Sequence, residues 1–205
     1  MSAAPEAVED DLPPDLPAYV GIDLAHVRLV RSEQDARAAL ADLLGCDAIG
    51  FDTESKPTFA KGEVSTGPHL VQLATRGTAW LFQTATPAGN ALAVTVLKPV
   101  LEDERVLKVG FGLGDDVRRL KTKFGIELRN VLDLSTALRR RGERNPLGAR
   151  SAVERFFGQR LQKSKRITTT NWALPRLSDK QLQYAADDAH AALRIYLHWK
   201  ANPAT

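Results

Sequence analysis

Three short runs hold the acids able to do chemistry: FDTE at 51–54, GLGDD at 112–116 and YAADD at 184–188. In the first, Asp52 and Glu54 stand two apart at the end of the apolar run DAIGFD. Alternate side chains on a strand share a face, so these carboxylates converge while Thr53 faces away. Like charges held together need a counter-charge, and a hard divalent cation supplies one through carboxylate oxygen. The plain alternative is a strand end running into a solvated loop.

The second run follows VLKVGF, so a strand enters a glycine-rich bend and then a helix. Asp115 or Asp116 would sit near the helix N-terminus, where the dipole favours negative charge. Either could simply start the helix. Gly110, Gly112 and Gly114 lack the spacing of a dinucleotide site, and no phosphate-loop lysine follows. In the third run Tyr184 and Asp188 are four apart and share a helix face. Asp187 projects about 100° away and is expected to be exposed. The alanines at 185, 186, 189, 191 and 192 let this helix lie close to another element.

The elements that must position these acids alternate along the chain. Residues 33–44 have helical periodicity after Ser32 as N-cap. Strands are expected at 47–52, 70–75, 78–83, 106–111 and 131–134, with a hairpin turning at Arg76-Gly77. Helices are expected at 90–102, 113–124 and 179–199. The chain from 135 onward reads as mostly helical, apart from a polar loop at 164–176. Alternation of this kind implies an α/β fold, and the hairpin makes its central sheet mixed. Residues 1–17, acidic and Pro-rich, are expected to form a flexible arm, and residues 18–205 a single domain.

Bulk properties narrow the setting. No run of eighteen apolar residues occurs, so neither a membrane span nor a membrane partner is expected. The N-terminus lacks the plan of a signal peptide, and Cys46 is the single cysteine. An intracellular, cytoplasmic location is the expectation. Net charge is +3, but residues 118–166 hold fifteen basic residues against four acids. That segment carries +11 and the remainder −8, which suggests a polyanion-facing surface beside an acidic centre.

The order and contexts of the three runs resemble the DEDD 3′–5′ exonucleases, specifically the tyrosine subclass. FDTE matches the first motif. GFGLGDDVRRL matches the second and assigns its acid to Asp116. YAADDA matches the third and assigns Tyr184 and Asp188. The histidine subclass would place a histidine where Gln183 stands, and His190 is read as structural. Within the subclass the chain is most similar to the Werner-syndrome-type exonuclease domain, then ribonuclease D. The likeness covers residues 27 to 199. Phe111 departs from many relatives, at a position that lies near the substrate in the family.

The resemblance implies a ribonuclease H-like (DnaQ-type) fold and two divalent metal ions, Mg²⁺ or Mn²⁺. It implies that Asp52, Glu54, Asp116 and Asp188 hold the metals and that Tyr184 orients the attacking water. Tyrosine ordinarily titrates at about pH 10, so it is a poor base at neutrality. The expected partners are single-stranded DNA or the 3′ ends of duplex DNA, with nucleoside 5′-monophosphates as products. Lys163, Lys165 and Arg166 are the preferred phosphate contacts. Trp172 is either a base-stacking platform or a loop anchor, and Phe59 is similarly open. The enzymatic rival is an RNA-trimming or oligoribonucleotide-degrading activity. Two further alternatives are a catalytically inactive nucleic-acid-binding module and an unrelated α/β protein with surface acids.

Overall fold

The computed structural model describes residues 16–58, 62–162 and 165–202. The expected arm over 1–17 therefore lies outside the described residues except at Leu16 and Pro17. The Pro17 carbonyl accepts from the Arg160 N–H at 2.8 Å.

Among the described residues six strands form one mixed sheet: β1 (Val27–Leu29), β2 (Ala48–Glu54), β3 (Leu70–Ala74), β4 (Ala79–Gln83), β5 (Leu107–Gly110) and β6 (Val131–Asp133). Their order is β1-β4-β3-β2-β5-β6. The expected hairpin is β3–β4, with Ala74 opposite Ala79. Strand β2 pairs antiparallel with β3 and parallel with β5. β1 adds a parallel edge beside β4 that the sequence pattern did not reveal, because three residues are too short to show alternation.

Among the described residues seven α-helices accompany the sheet: α1 (Glu33–Leu44), α2 (Pro87–Leu101), α3 (Gly114–Phe124), α4 (Leu134–Ala137), α5 (Ala149–Phe157), α6 (Lys165–Thr168) and α7 (Asp179–Ala201). α1 and α7 start with capping boxes at Ser32 and Ser178, each satisfying N–H groups that the first turn leaves unpaired. α2 starts three residues before its expected position, because Pro87 suits a first turn and Thr86 caps it. α6 lies inside the segment expected to be loop. No helix among the described residues is long and apolar enough to cross a membrane.

The two faces of β2 meet different partners. Ile49 and Phe51 join Leu43, Leu97, Leu101 and Leu120 in one core cluster under α1, α2 and α3. Gly50 faces α7. A Cβ on Gly50 would lie 1.9 Å from the Ala189 carbonyl oxygen, so only glycine lets this helix lie on the strand. The alternation that buries Ile49 and Phe51 on one side carries Asp52 and Glu54 to the α7 side.

Candidate active site

Asp52 and Glu54 are half-buried at the C-terminal end of β2, and Asp188 is buried on α7. Each offers a carboxylate oxygen, and these oxygens all lie within 4.8 Å of one another. Three carboxylates gathered at such range offer hard oxygen donors, which fit a divalent ion of the Mg²⁺ or Mn²⁺ type.

Asp116 is placed differently. It stands in the first turn of α3, on the other side of β2, and accepts a short hydrogen bond from the Thr53 hydroxyl. Thr53 does face away from Asp52 and Glu54, and that is what carries it to Asp116. Burial raises the Asp116 pKa; the Thr53 hydrogen bond and the nearby Arg119 guanidinium act against that rise. Asp115, by contrast, is exposed and pairs with Arg118 at 2.9 Å.

The bend before α3 is held by a residue that motif reading passed over. The Asp133 carboxylate accepts from the N–H groups of Gly112 and Leu113, at 2.9 and 3.0 Å. Gly112 has φ +68°, a conformation glycine adopts without strain. Asp133, at the end of β6, thus sets where α3 begins and where Asp116 stands. Its sequence signal was slight: an acid closing a three-residue strand.

Tyr184 is buried one turn before Asp188, with its hydroxyl 3.2 Å from the Thr168 hydroxyl. Its ring packs against Trp172 at 5.9 Å between centroids. Trp172 is fully buried, and its indole N–H donates to the Thr168 carbonyl at 3.3 Å. The base-stacking expectation for Trp172 is therefore corrected: the ring is a loop anchor beneath Tyr184, with no face open to a base.

Asp187 also departs from expectation. It is half-buried, and its carboxylate accepts from the Ile22 N–H at 3.0 Å. Burial pushes its pKa up to about 6. The segment entering β1 crosses α7 here, and this long-range contact has no local sequence signal. His190 is buried within 3.4 Å of the Arg76 carbonyl oxygen, consistent with a structural residue.

A cleft of about 840 Å³ opens beside Tyr184 and Asp188, lined in part by Arg166, Thr170, Lys180 and Gln181. Arg166 is the preferred phosphate contact that the structure brings to this wall. Lys163 and Phe59 lie outside the described residues, and only the backbone of Lys165 falls within them. Phe111 is half-buried against the cluster containing Leu134, Leu138 and Leu147. Much of the basic 118–166 segment serves the fold: Lys123 donates to the Pro68 carbonyl at 2.6 Å, and Arg155 pairs with Glu143 at 2.5 Å.

The model of the 3′-5′ exonuclease family matches residues 27–200. The chain belongs to that family. The chain is 31% identical over 160 residues to a 3′-5′ exonuclease of Arabidopsis thaliana, covering 76% of this chain and 53% of that one. It is 32% identical over 208 residues to the exonuclease mut-7 homolog of Aedes aegypti, covering 91% of this chain and 28% of the relative. The chain thus spans about half or less of these curated relatives. Among solved structures, the exonuclease domain of Aedes aegypti Nibbler aligns at a TM-score of 0.73 with 26% identity, covering 88% of this chain and 89% of that domain. Ribonuclease D of Trypanosoma brucei in complex with RNA U12 aligns at a TM-score of 0.75 with 23% identity, covering 87% and 63%, a likeness of fold. The mixed sheet flanked by helices is the fold of these exonucleases, as the motifs implied.

Proposed function

We propose that this exonuclease hydrolyses phosphodiester bonds from the 3′ end of a nucleic acid and releases nucleoside 5′-monophosphates. The observation that carries the reading is the meeting of carboxylate oxygens of Asp52, Glu54 and Asp188 within 4.8 Å, with Asp188 also lining a cleft that Arg166 lines.

Asp52, Glu54 and Asp188 would hold two divalent cations, Mg²⁺ or Mn²⁺, with Asp116 supporting the leaving-group side largely through water. When bound, such ions act as Lewis acids toward the phosphoryl oxygen and make water a nucleophile at neutral pH. Tyr184 orients the attacking water through its hydroxyl. Thr168 and Trp172 hold that tyrosine from behind. Arg166 binds a phosphate of the strand in the cleft, as a guanidinium is suited to do. Water attacks phosphorus and the P–O3′ bond breaks, leaving a free 3′-hydroxyl on the shortened strand.

DNA is the favoured polymer. The rival, an RNA-trimming enzyme, is supported by relatives of the other kind: the chain is 27% identical over 173 residues to a protein named ribonuclease D from Bartonella henselae. It is also 28% identical over 155 residues to the mouse exonuclease/helicase WRN, so similarity weighs on both sides. Mg²⁺-dependent digestion of matched DNA and RNA oligonucleotides, labelled at the 3′ or the 5′ end, tests polarity and polymer together. The expected result is early release of 3′-labelled mononucleotide from DNA. Degradation of RNA with DNA untouched would reverse the polymer, and release from the 5′ end would sink the reading.

A further inference from the structure

Gln72 is fully buried in β3, and among the described residues neither its amide nitrogen nor its amide oxygen has a hydrogen-bond partner. A buried amide without partners is costly, and an apolar side chain of the same size would avoid the cost. Its place in the sheet suggests why an amide stands there. Gln72 is paired directly with Asp52 across the β2–β3 ladder, and directly opposed residues share a face. That face is the one α7 covers. Leu70, two residues before Gln72, packs with Tyr184 and Ala185. Ala74, two residues after, packs with Ala186 and Ala189. Gln72 therefore lies beneath the turn of α7 that carries Asp188, beside the carboxylate of Asp52.

We propose that Gln72 is a positioning residue of the acidic centre: its amide N–H donates to a carboxylate oxygen of Asp52 and holds that carboxylate in its metal-ligating orientation. The inference rests on the metal-centre reading given above. A carboxylate that binds a cation through one oxygen leaves lone pairs that a neighbouring donor must satisfy. The buried amide meets that need once the carboxylates arrange around a cation. An apolar residue could fill the same space without doing so.

The test is Mn²⁺ binding by the full chain without substrate, read by titration calorimetry or by the resonance of free Mn²⁺. It is paired with the unfolding midpoint in the absence of metal. Gln72→Met keeps the volume and removes the amide, and Gln72→Leu serves as a second variant. The expected result is an unfolding midpoint at or above wild type with Mn²⁺ affinity lowered about tenfold, the lower end of what loss of such a supporting contact costs. Wild-type Mn²⁺ affinity in both variants, whatever their midpoints, would overturn the role of Gln72 and leave the metal centre standing. Absence of Mn²⁺ binding by the wild type would overturn both.

Discussion

Gly50 and Ala189 meet where β2 and α7 cross, with no room between them: a Cβ on Gly50 would fall 1.9 Å from the Ala189 carbonyl oxygen and 3.3 Å from the Leu193 Cβ. Gly50 is two residues before Asp52 and Ala189 follows Asp188, so this contact sets the distance between the two carboxylates. Gly50→Ala is expected to destabilise the fold by about 1–3 kcal/mol, as overpacking does. It should also lower activity about tenfold or more at temperatures where the variant remains folded, although no acid is changed. A folded variant with wild-type kcat would show that helix and strand can separate without disturbing the centre.

Removing one acid of the cluster should separate stability from activity. Asp188→Asn relieves repulsion among the three carboxylates, so the metal-free unfolding midpoint should rise. Metal-assisted catalysis supplies several kcal/mol of charge stabilisation, so kcat should fall by about 10³-fold or more. Asp52→Ala should be equally inactive while its circular dichroism stays native. Retained activity in Asp52→Ala would reject the assignment of the centre.

Thr53 and Asp116 form a second point of control on the opposite face of β2. Thr53→Val preserves shape and removes the donor. The expected outcome is a kcat lowered about tenfold, the equivalent of about 1.4 kcal/mol, which is the scale of one hydrogen bond to a charged group. Steady-state kinetics at saturating Mg²⁺ checks it, and an unchanged kcat would make the bond purely structural.

Arg166 is the cleft residue expected to bind phosphate. Arg166→Ala should raise KM several-fold with a smaller effect on kcat. It should also reduce the slope of log affinity against log salt by about 1, the change expected for one lost phosphate contact. Affinity measured by fluorescence anisotropy over a salt series decides, and an unchanged slope would remove Arg166 from the strand path.

Lys108 offers a test of pH dependence away from the site. It is fully buried in β5, and its ammonium donates to the Asp103 carbonyl at 2.7 Å. Burial pushes its pKa from the ordinary 10.5 down to about 8, with Asp103 offsetting only part of the effect. The unfolded chain then holds the proton more tightly than the folded one. This group's contribution to stability is therefore present above the unfolded value and is lost as pH falls through about 8. The stability of Lys108→Met relative to wild type should accordingly decline as pH rises from 8 to 10. Unfolding midpoints across that range provide the check, and a constant difference would contradict the shift.

Much of the framework was legible locally. The hairpin at Arg76-Gly77 and the cap at Ser32 follow from short-range patterns that the fold keeps. Less was legible where a residue's role depends on what lies across from it. Asp187 looked exposed on its helix, yet it accepts the Ile22 N–H. Trp172 sits in a polar loop, yet it is a core residue under Tyr184. The basic segment looked like one polyanion surface, yet Lys123 and Arg155 are spent on carbonyls and a glutamate within the fold.

By itself the sequence determined the kinds of groups present, the strand and helix each acid stands on, and through its motifs the family. Side-chain periodicity is a local property, so it is readable from spacing alone. Only the tertiary structure decided which acids meet. It brought Asp188 to Asp52 and Glu54, set Asp116 on the far face of β2, and placed the buried amide of Gln72 opposite Asp52. Those distances arise from how closely α7 lies on the sheet, and that packing depends on contacts between residues far apart in the chain.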